Sequence, residues 1–155
     1  MFGEVARKEI GVQPYVYSFL KKELGAAEKI YTIDGKTFKT RDIIILFFKY
    51  LHNIIEEYLP AGQIDVILTS PAYFTNDKKK MLIWCAQKAG FNVLKTIDEP
   101  SASAIYYDID RKIPNGRILV YDLGGGTLDV SILDIANGEF AAMPTRGDSD
   151  LGGGD

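Results

Sequence analysis

Three residue types are nearly absent from this 155-residue sequence, which contains one cysteine, one histidine and one tryptophan. A single cysteine, Cys85, excludes a disulfide framework within the chain. Because only His52 is available to activate it, we interpret Cys85 as a small buried hydrophobic residue. The sequence also lacks an apolar run of membrane-spanning length and a basic-then-apolar leader. These absences predict a reducing, cytoplasmic setting and no membrane partner.

A strong excess of one charge is absent as well. Lysine and arginine total 18 against 21 acidic residues, for a net charge of −3. This balance gives no electrostatic reason to expect nucleic acid as a partner, and we interpret the basic run at 78–80 as the solvated start of a helix. With 46% hydrophobic and 25% charged residues, the composition is that of an ordinary folded domain rather than a disordered chain.

The first half of the chain shows two clear local patterns. Asp34 and Gly35 stand between alternating apolar residues, which is the strongest short-range signal for a β-hairpin. Thr40 is then placed to cap a helix, with Asp42 in its first turn. A wide apolar stripe follows at helical spacing, and we interpret this stripe as core packing.

From residue 64 onward the pattern alternates between strands and helices. Strands are predicted at 64–69, 93–97, 117–122, 127–135 and 139–145, and helices at 76–89 and 101–107. Strand, helix, strand, helix and then a meander predict an α/β lobe followed by the start of a second sheet.

The most informative segment is 122–129, which reads DLGGGTLD. Strong β-formers on both sides predict that Gly124, Gly125 and Gly126 lie in a turn between strands, so the segment is not a P-loop. Glycines allow backbone N–H groups to approach phosphate oxygens, and Thr127 adds a hydroxyl donor. The flanking aspartates predict a hydrated Mg²⁺ site beside a phosphate.

The flanking aspartates are Asp122 and Asp129. Two further acidic segments are candidates for the same site. Glu99 follows a predicted strand, which is where open α/β sheets bind ligands; a surface glutamate before Pro100 at the first helical position is the alternative. Residues 147–155 form a second cluster of glycines and carboxylates, for which a flexible tail is the alternative.

In this order and spacing the segments resemble the actin-like ATPase superfamily, and above all the seventy-kilodalton heat-shock chaperones (the DnaK type). Residues 70–74, SPAYF, resemble the family's VPAYF, and residues 98–104, DEPSASA, resemble its NEPTAAA. Residues 122–129 match its phosphate motif with Leu128 in place of Phe, and residues 147–155 are similar to GDTHLGGED. The resemblance is specific from residue 64 to the end.

The resemblance implies a partial actin-like ATPase (ribonuclease H-like) α/β fold, comprising the end of the first lobe and the start of the second. Its parts would be 1–63, a portion of the first lobe with a reduced hairpin and helix subdomain; 64–116, a strand–helix–strand return to that lobe; and 117–155, the start of the second lobe.

The resemblance also assigns site residues. Asp122 and Asp129 would lie near Mg²⁺ and monovalent cations such as K⁺, and Glu99 would hold metal-bound water. The phosphates of ATP or ADP would contact the following residues: Gly124, Gly125, Gly126, Thr127, Gly152 and Gly153.

Three more positions follow from the resemblance. Lys22 matches the lysine near the γ-phosphate, although Glu23 stands where the family usually has arginine. Pro71 would be the switch proline. Lys79 replaces the arginine that works with this proline, and lysine lacks the planar fork of arginine. Asp150 and Gly154 also depart from the family's pattern.

The implied activity is that of a stress-response chaperone whose ATP hydrolysis controls the binding of unfolded polypeptide, with a J-domain co-chaperone and a nucleotide exchange factor as partners. The family's first phosphate loop and its adenosine pocket have no counterpart here. We therefore expect either a fragment or a degenerate relative, with self-association through uncovered surfaces.

Two other functions compete with this interpretation. A cytoskeletal actin homologue of the rod-shape-determining type shares the Glu-Pro-x-Ala-Ala and Asp-x-Gly-Gly-Gly-Thr segments. A non-catalytic remnant that only binds partners is compatible with the missing loops.

Overall fold

The computed structural model describes residues 2–12, 16–17, 20–25, 29–59, 62–125, 127–143, 146–148, 151 and 153. The chain divides into two compact units. The first comprises Met1–Val66 and Asn76–Leu94, and the second comprises Ile67–Thr75 and Lys95–Asp155.

Helices and strands alternate along most of the described chain. The helices are α1 (Glu4–Lys8), α2 (Leu20–Glu23), α3 (Thr40–Glu56), α4 (Asn76–Lys88) and α5 (Glu99–Arg111). The strands are β1 (Ile30–Ile33), β2 (Lys36–Lys39), β3 (Ile64–Ser70), β4 (Phe91–Asp98), β5 (Gly116–Leu123), β6 (Leu128–Ala136), β7 (Glu139–Ala142) and β8 (Arg146–Asp148). This content confirms the mixed α/β class. Among the described residues, no helix is long and apolar enough to cross a bilayer.

The predicted hairpin is present in the first unit. Strands β1 and β2 pair antiparallel, with Ile33 opposite Lys36. The two residues between them have positive φ, 49° at Asp34 and 73° at Gly35. A two-residue turn of this kind matches the right-handed twist of the strands, and asparagine, aspartate and glycine tolerate its dihedrals. The Asp-Gly pair therefore determines the hairpin.

The residue that caps helix α3 is one position earlier than predicted. Thr40 is its first helical residue, and Lys39 is the capping residue. The backbone N–H of Lys39 donates to Oδ2 of Asp42 at 2.9 Å. The cap interaction thus comes from the carboxylate in the first turn and not from the threonine hydroxyl, so the prediction of a Thr40 cap is wrong.

The apolar stripe of α3 is core only in its first turn. Ile43 and Ile44 are 6% and 7% exposed, whereas Phe47 is 39% exposed. Helix α4 packs against α3, and Cys85 Sγ lies 3.8 Å from the carbonyl oxygen of Arg41 at the start of α3. The prediction that the whole stripe is core packing is wrong for its exposed members, whereas three others are half-buried: Phe48, Leu51 and Ile55.

Aromatic contacts replace core packing along the rest of α3. The ring of Phe2 lies 5.6 Å from that of Phe47, and the His52 ring lies 5.0 Å from Phe91 at the start of β4. His52 also lies 3.6 Å from Glu56. The histidine is thus a half-buried packing residue of the first unit.

Helix α5 and the last sheet form most of the second unit. The helix spans Glu99–Arg111, longer than the predicted 101–107, and Pro100 stands in its first turn where a missing N–H costs nothing. The sheet has the order β5–β6–β7, with β8 also paired to β6. Strand β8 was not predicted. The predicted strand at 139–145 ends at Ala142, and residues 144–145 lie outside the described part.

Burial alternates along β6 with a period of two. Leu133 and Ile135 on one face are 0% and 4% exposed. On the other face, β5 presents Leu119 and Tyr121, which are 61% and 60% exposed. The sheet therefore has one packed face, where α5 contacts β5 and β7, and one open face.

We predict that Leu133→Ala lowers the free energy of unfolding by about 2–5 kcal/mol, because it leaves a cavity in the packed face. The matched control is Leu119→Ala on the neighbouring strand, where the exposed side chain should cost no more than about 0.5 kcal/mol. Urea unfolding followed by far-ultraviolet circular dichroism measures both. Equal losses for the two variants would contradict the assignment of the faces.

A second prediction concerns Cys85, which is fully buried. Burial raises the pKa of its thiol to about 11. Because the thiolate is the nucleophile, the native chain should react with iodoacetamide far more slowly than the urea-unfolded chain at a pH near 8.5, the ordinary thiol pKa. Mass spectrometry of timed samples measures the two rates, and equal rates would show that Cys85 is accessible.

Candidate phosphate and metal site

The glycine turn joins β5 to β6 in the second unit. Leu123 and Leu128 are the last paired residues, and the Gly124 N–H donates to the Thr127 carbonyl oxygen at 2.9 Å. This confirms the prediction of a turn between two strands. Gly126 lies outside the described residues.

The fold of the chain does not itself require glycine at the two described turn positions. Neither Gly124 nor Gly125 has a φ in the left-handed region. A Cβ added to Gly125 would meet nothing within 4 Å, and one added to Gly124 would lie 3.5 Å from the Thr127 carbonyl oxygen, an ordinary contact. The missing side chains leave open space above the backbone, which is what a closely approaching ligand needs.

Two carboxylates share one face of this hairpin. Asp122 and Asp129 are opposite each other in the antiparallel register. Directly opposite residues project to the same side of a sheet, with Cβ atoms roughly 5 Å apart. Asp122 is exposed, whereas Asp129 is 8% exposed. One carboxylate thus faces solvent beside one that is almost buried.

Polar residues interrupt the packed face of β6 at the end nearest the turn. Asp129 and Ser131 occupy the same row as Leu133 and Ile135, and Ser131 is only 1% exposed. Burying a carboxylate and a hydroxyl costs free energy that two apolar residues would not cost. Packing alone does not explain this row.

Residues of the second glycine segment, 147–155, contact the β5–β6 hairpin and its glycine turn. In β8, Gly147 is opposite Asp129 and Asp148 is opposite Leu128. Further on, the Gly153 N–H donates to the Gly124 carbonyl oxygen at 3.0 Å. The structure therefore joins two segments that the sequence separated by about twenty residues. Gly152, with Asp150 and Gly154, lies outside the described residues.

Glu99 and Asp129 both act electrostatically on one tyrosine, Tyr73. Glu99 opens α5 directly after β4. The Phe74 N–H donates to the Pro71 carbonyl oxygen at 3.0 Å, so 71–74 forms a turn after β3. Burial raises the pKa of Tyr73 in this turn, and the negative charges of Asp129 and Glu99 raise it further. The Tyr73 phenol thus lies within electrostatic range of both carboxylates.

The two predicted lysines belong to the first unit. Lys22 is in α2, and its carbonyl oxygen accepts a hydrogen bond from Nζ of Lys78 at 3.4 Å. Lys79 is in α4 and is half-buried.

The carboxylates beside the turn suit a metal ion that retains several coordinated water molecules. Among the described residues, no group of three or more histidine, cysteine, aspartate or glutamate side chains could enclose an ion. A pair such as Asp122 and Asp129 fits Mg²⁺, which binds through one or two carboxylates, waters and phosphate oxygens rather than in an all-protein cage.

Sequence reasoning missed three residues here. Tyr73 was part of the 70–74 motif, Ser131 part of the predicted strand 127–135 and Gly147 part of the cluster 147–155, and none of the three had a role of its own. Strand alternation from Asp129 could have identified Ser131, because residues two apart share a face. No local signal predicts the pairing of Gly147 with Asp129, which is non-local.

The sequence is similar to proteins of one known family. The family model described as Hsp70 protein matches residues 4–155. The chain is 35% identical over 153 residues to a protein named chaperone protein DnaK from Mycoplasmopsis pulmonis, a match covering 99% of this chain and 25% of the relative. A chaperone protein DnaK from Mycoplasma mobile gives the same identity and coverage. The chain thus spans about a quarter of the length of these relatives.

We predict that Asp129→Asn lowers the pKa of Tyr73, because a nearby negative charge disfavours the phenolate. The pKa should stay above its ordinary value, since burial is the larger cause. The control is Asp134→Asn, on the other face of β6, where the carboxylate is bonded to Arg117 Nε at 2.7 Å. Nuclear magnetic resonance (NMR) titration of labelled tyrosine rings measures the pKa, and an unchanged value in Asp129→Asn would refute the proximity.

Proposed function

The chain belongs to the Hsp70 protein family, and on that premise we propose that it is part of an ATP-binding and ATP-hydrolysing domain. The supporting observation is the β5–β6 turn, where open space lies above Gly125 and two carboxylates share one face. In the proposed parent protein, ATP turnover controls the binding of unfolded polypeptide.

Phosphate recognition falls to the backbone in this proposal. The backbone of Gly124, Gly125 and Gly126 contacts the phosphate oxygens of ATP or ADP, and the Thr127 hydroxyl donates an additional hydrogen bond. Because the Gly124 N–H already donates to the Thr127 carbonyl oxygen, the Gly125 N–H is the described donor for phosphate. Gly152 and Gly153 would add contacts from the other segment, as the family resemblance implies. The hydrogen bond from Gly153 to the Gly124 carbonyl oxygen supports this, because it holds the two segments against each other.

The carboxylates of the proposed site would bind the cation. Asp122 and Asp129 orient water around Mg²⁺, with K⁺ as a further candidate, and Glu99 orients a metal-bound water. When bound, Mg²⁺ supplies neutralisation of charge on the phosphate oxygens. The near burial of Asp129 supports the assignment, because a fixed carboxylate in a dry setting acts more strongly than a solvated one.

Three roles rest on the resemblance. Lys22 would stabilise charge near the γ-phosphate, which suits a reaction governed by positioning and electrostatics. Pro71 would act as the switch between nucleotide states. Lys79 would take the part of the family's arginine with one compact charge in place of a planar fork, so we expect weaker coupling.

The proposed fold is a partial actin-like ATPase, with 1–63 and 64–116 from the first lobe and 117–155 opening the second. J-domain co-chaperones, nucleotide exchange factors and unfolded polypeptide are the proposed partners of the parent protein, and the cytoplasm is its proposed setting. Family membership favours the chaperone over the cytoskeletal alternative.

We expect Mg-ATP to bind this chain weakly and at the turn, because the described residues supply one side of a phosphate site. In NMR spectra the amides of Gly124, Gly125 and Gly153 should shift on titration with Mg-ATP. Asp129→Asn and Asp122→Asn should reduce the Mg²⁺-dependent part of the shift, whereas Asp134→Asn should not. Calorimetry of the same samples provides the affinities.

Two results would change the proposal. An absence of shifts at all three glycines would refute nucleotide binding at the turn. Tight Mg²⁺-dependent binding, with a doubled mass in light scattering, would mean that two copies complete one site. Detectable turnover that is lost in Asp122→Asn would exclude the non-catalytic alternative.

A further inference from the structure

Strand β8 approaches β6 more closely than a side chain at position 147 would permit. A Cβ added to Gly147 would lie 2.6 Å from Oδ1 of Asp129 and 2.9 Å from the Leu128 carbonyl oxygen. Real Cβ atoms essentially never come within 3.0 Å of other heavy atoms. Any residue other than glycine would therefore move either the carboxylate or the strand.

Backbone conformation does not explain the glycine. The φ of Gly147 lies outside the left-handed region, so alanine could adopt the same backbone. What excludes a side chain is contact alone, and the nearest contacting atom belongs to the almost buried Asp129.

We propose that Gly147 is a positioning residue for the metal side of the site, because its missing side chain lets β8 pair with β6 without displacing the Asp129 carboxylate. Its role in metal binding rests on the function proposed above, whereas the contact itself does not.

The first test needs no nucleotide. Gly147→Ala should lower the thermal unfolding midpoint, and it should lower it less in an Asp129→Ala background, because the nearest clashing oxygen is gone. The decrease in unfolding midpoint that remains in this background comes from the clash with the Leu128 carbonyl oxygen. Ala141→Val, on the exposed β7 strand along the same edge of β6, adds bulk without this clash and should leave the midpoint nearly unchanged.

Equal losses in the two backgrounds would overturn the proposal, because contact with Asp129 would then not be the cause. This result does not depend on ATP binding, so failure of the positioning contact and failure of the proposed function are distinguishable.

The second test separates positioning from general damage. NMR titrations with ATP, in Mg²⁺ and in chelator, compare the parent chain with Gly147→Ala. We expect the Mg²⁺-dependent affinity to fall about tenfold or more, as for the loss of residues that orient metal ligands, and the Mg²⁺-free affinity to change little. Equal losses under both conditions would indicate a structural role only and overturn the proposal. Should the parent chain show no Mg²⁺ dependence, the metal role is refuted, and the unfolding cycle alone decides whether the contact exists.

Discussion

The register of β6 with a strand on each side is the constraint on which the candidate site depends. On one edge β5 places Asp122 opposite Asp129, and on the other β8 places Gly147 opposite the same aspartate. Side chains of a strand alternate between faces, so a slip of one residue would turn Asp129 to the open face. One pairing pattern thus determines the shared face of the carboxylates, the burial of Asp129 and the approach of the second glycine segment.

The same strand combines two opposed requirements. Its far half supplies core, since Leu133 and Ile135 are almost completely buried. Its near half places Asp129 and Ser131 in the same buried row, where desolvation of polar groups is costly. The apolar half offsets this cost within one element.

Sequence predicted the features that depend on local chemistry. The Asp34-Gly35 turn and the glycine turn between two strands follow from dihedral preferences and β-propensity, and the buried state of Cys85 follows from its apolar surroundings. What it missed has two causes. The cap at Lys39 is a local choice between two neighbouring residues, which the Asp42 carboxylate decides. The exposure of Phe47 depends on tertiary packing, and β8 is too short and glycine-containing to give a periodic signal. The meeting of Gly153 with Gly124 is equally non-local.

Several departures from good folding chemistry lie at one end of β6. Gly125 has neither a required dihedral nor a close neighbour that would exclude a side chain, although glycine loses more conformational entropy on folding than any other residue. Asp129 and Ser131 are buried in a row that continues with Leu133 and Ile135, and Gly147 has no side chain where one would contact Asp129. Proteins tend to break local rules at sites that serve function and to keep them elsewhere. Strand pairing joins Asp129 to Gly147, and Gly125 lies in the turn at the same end of β6. The ligand proposed above would account for all three residues together.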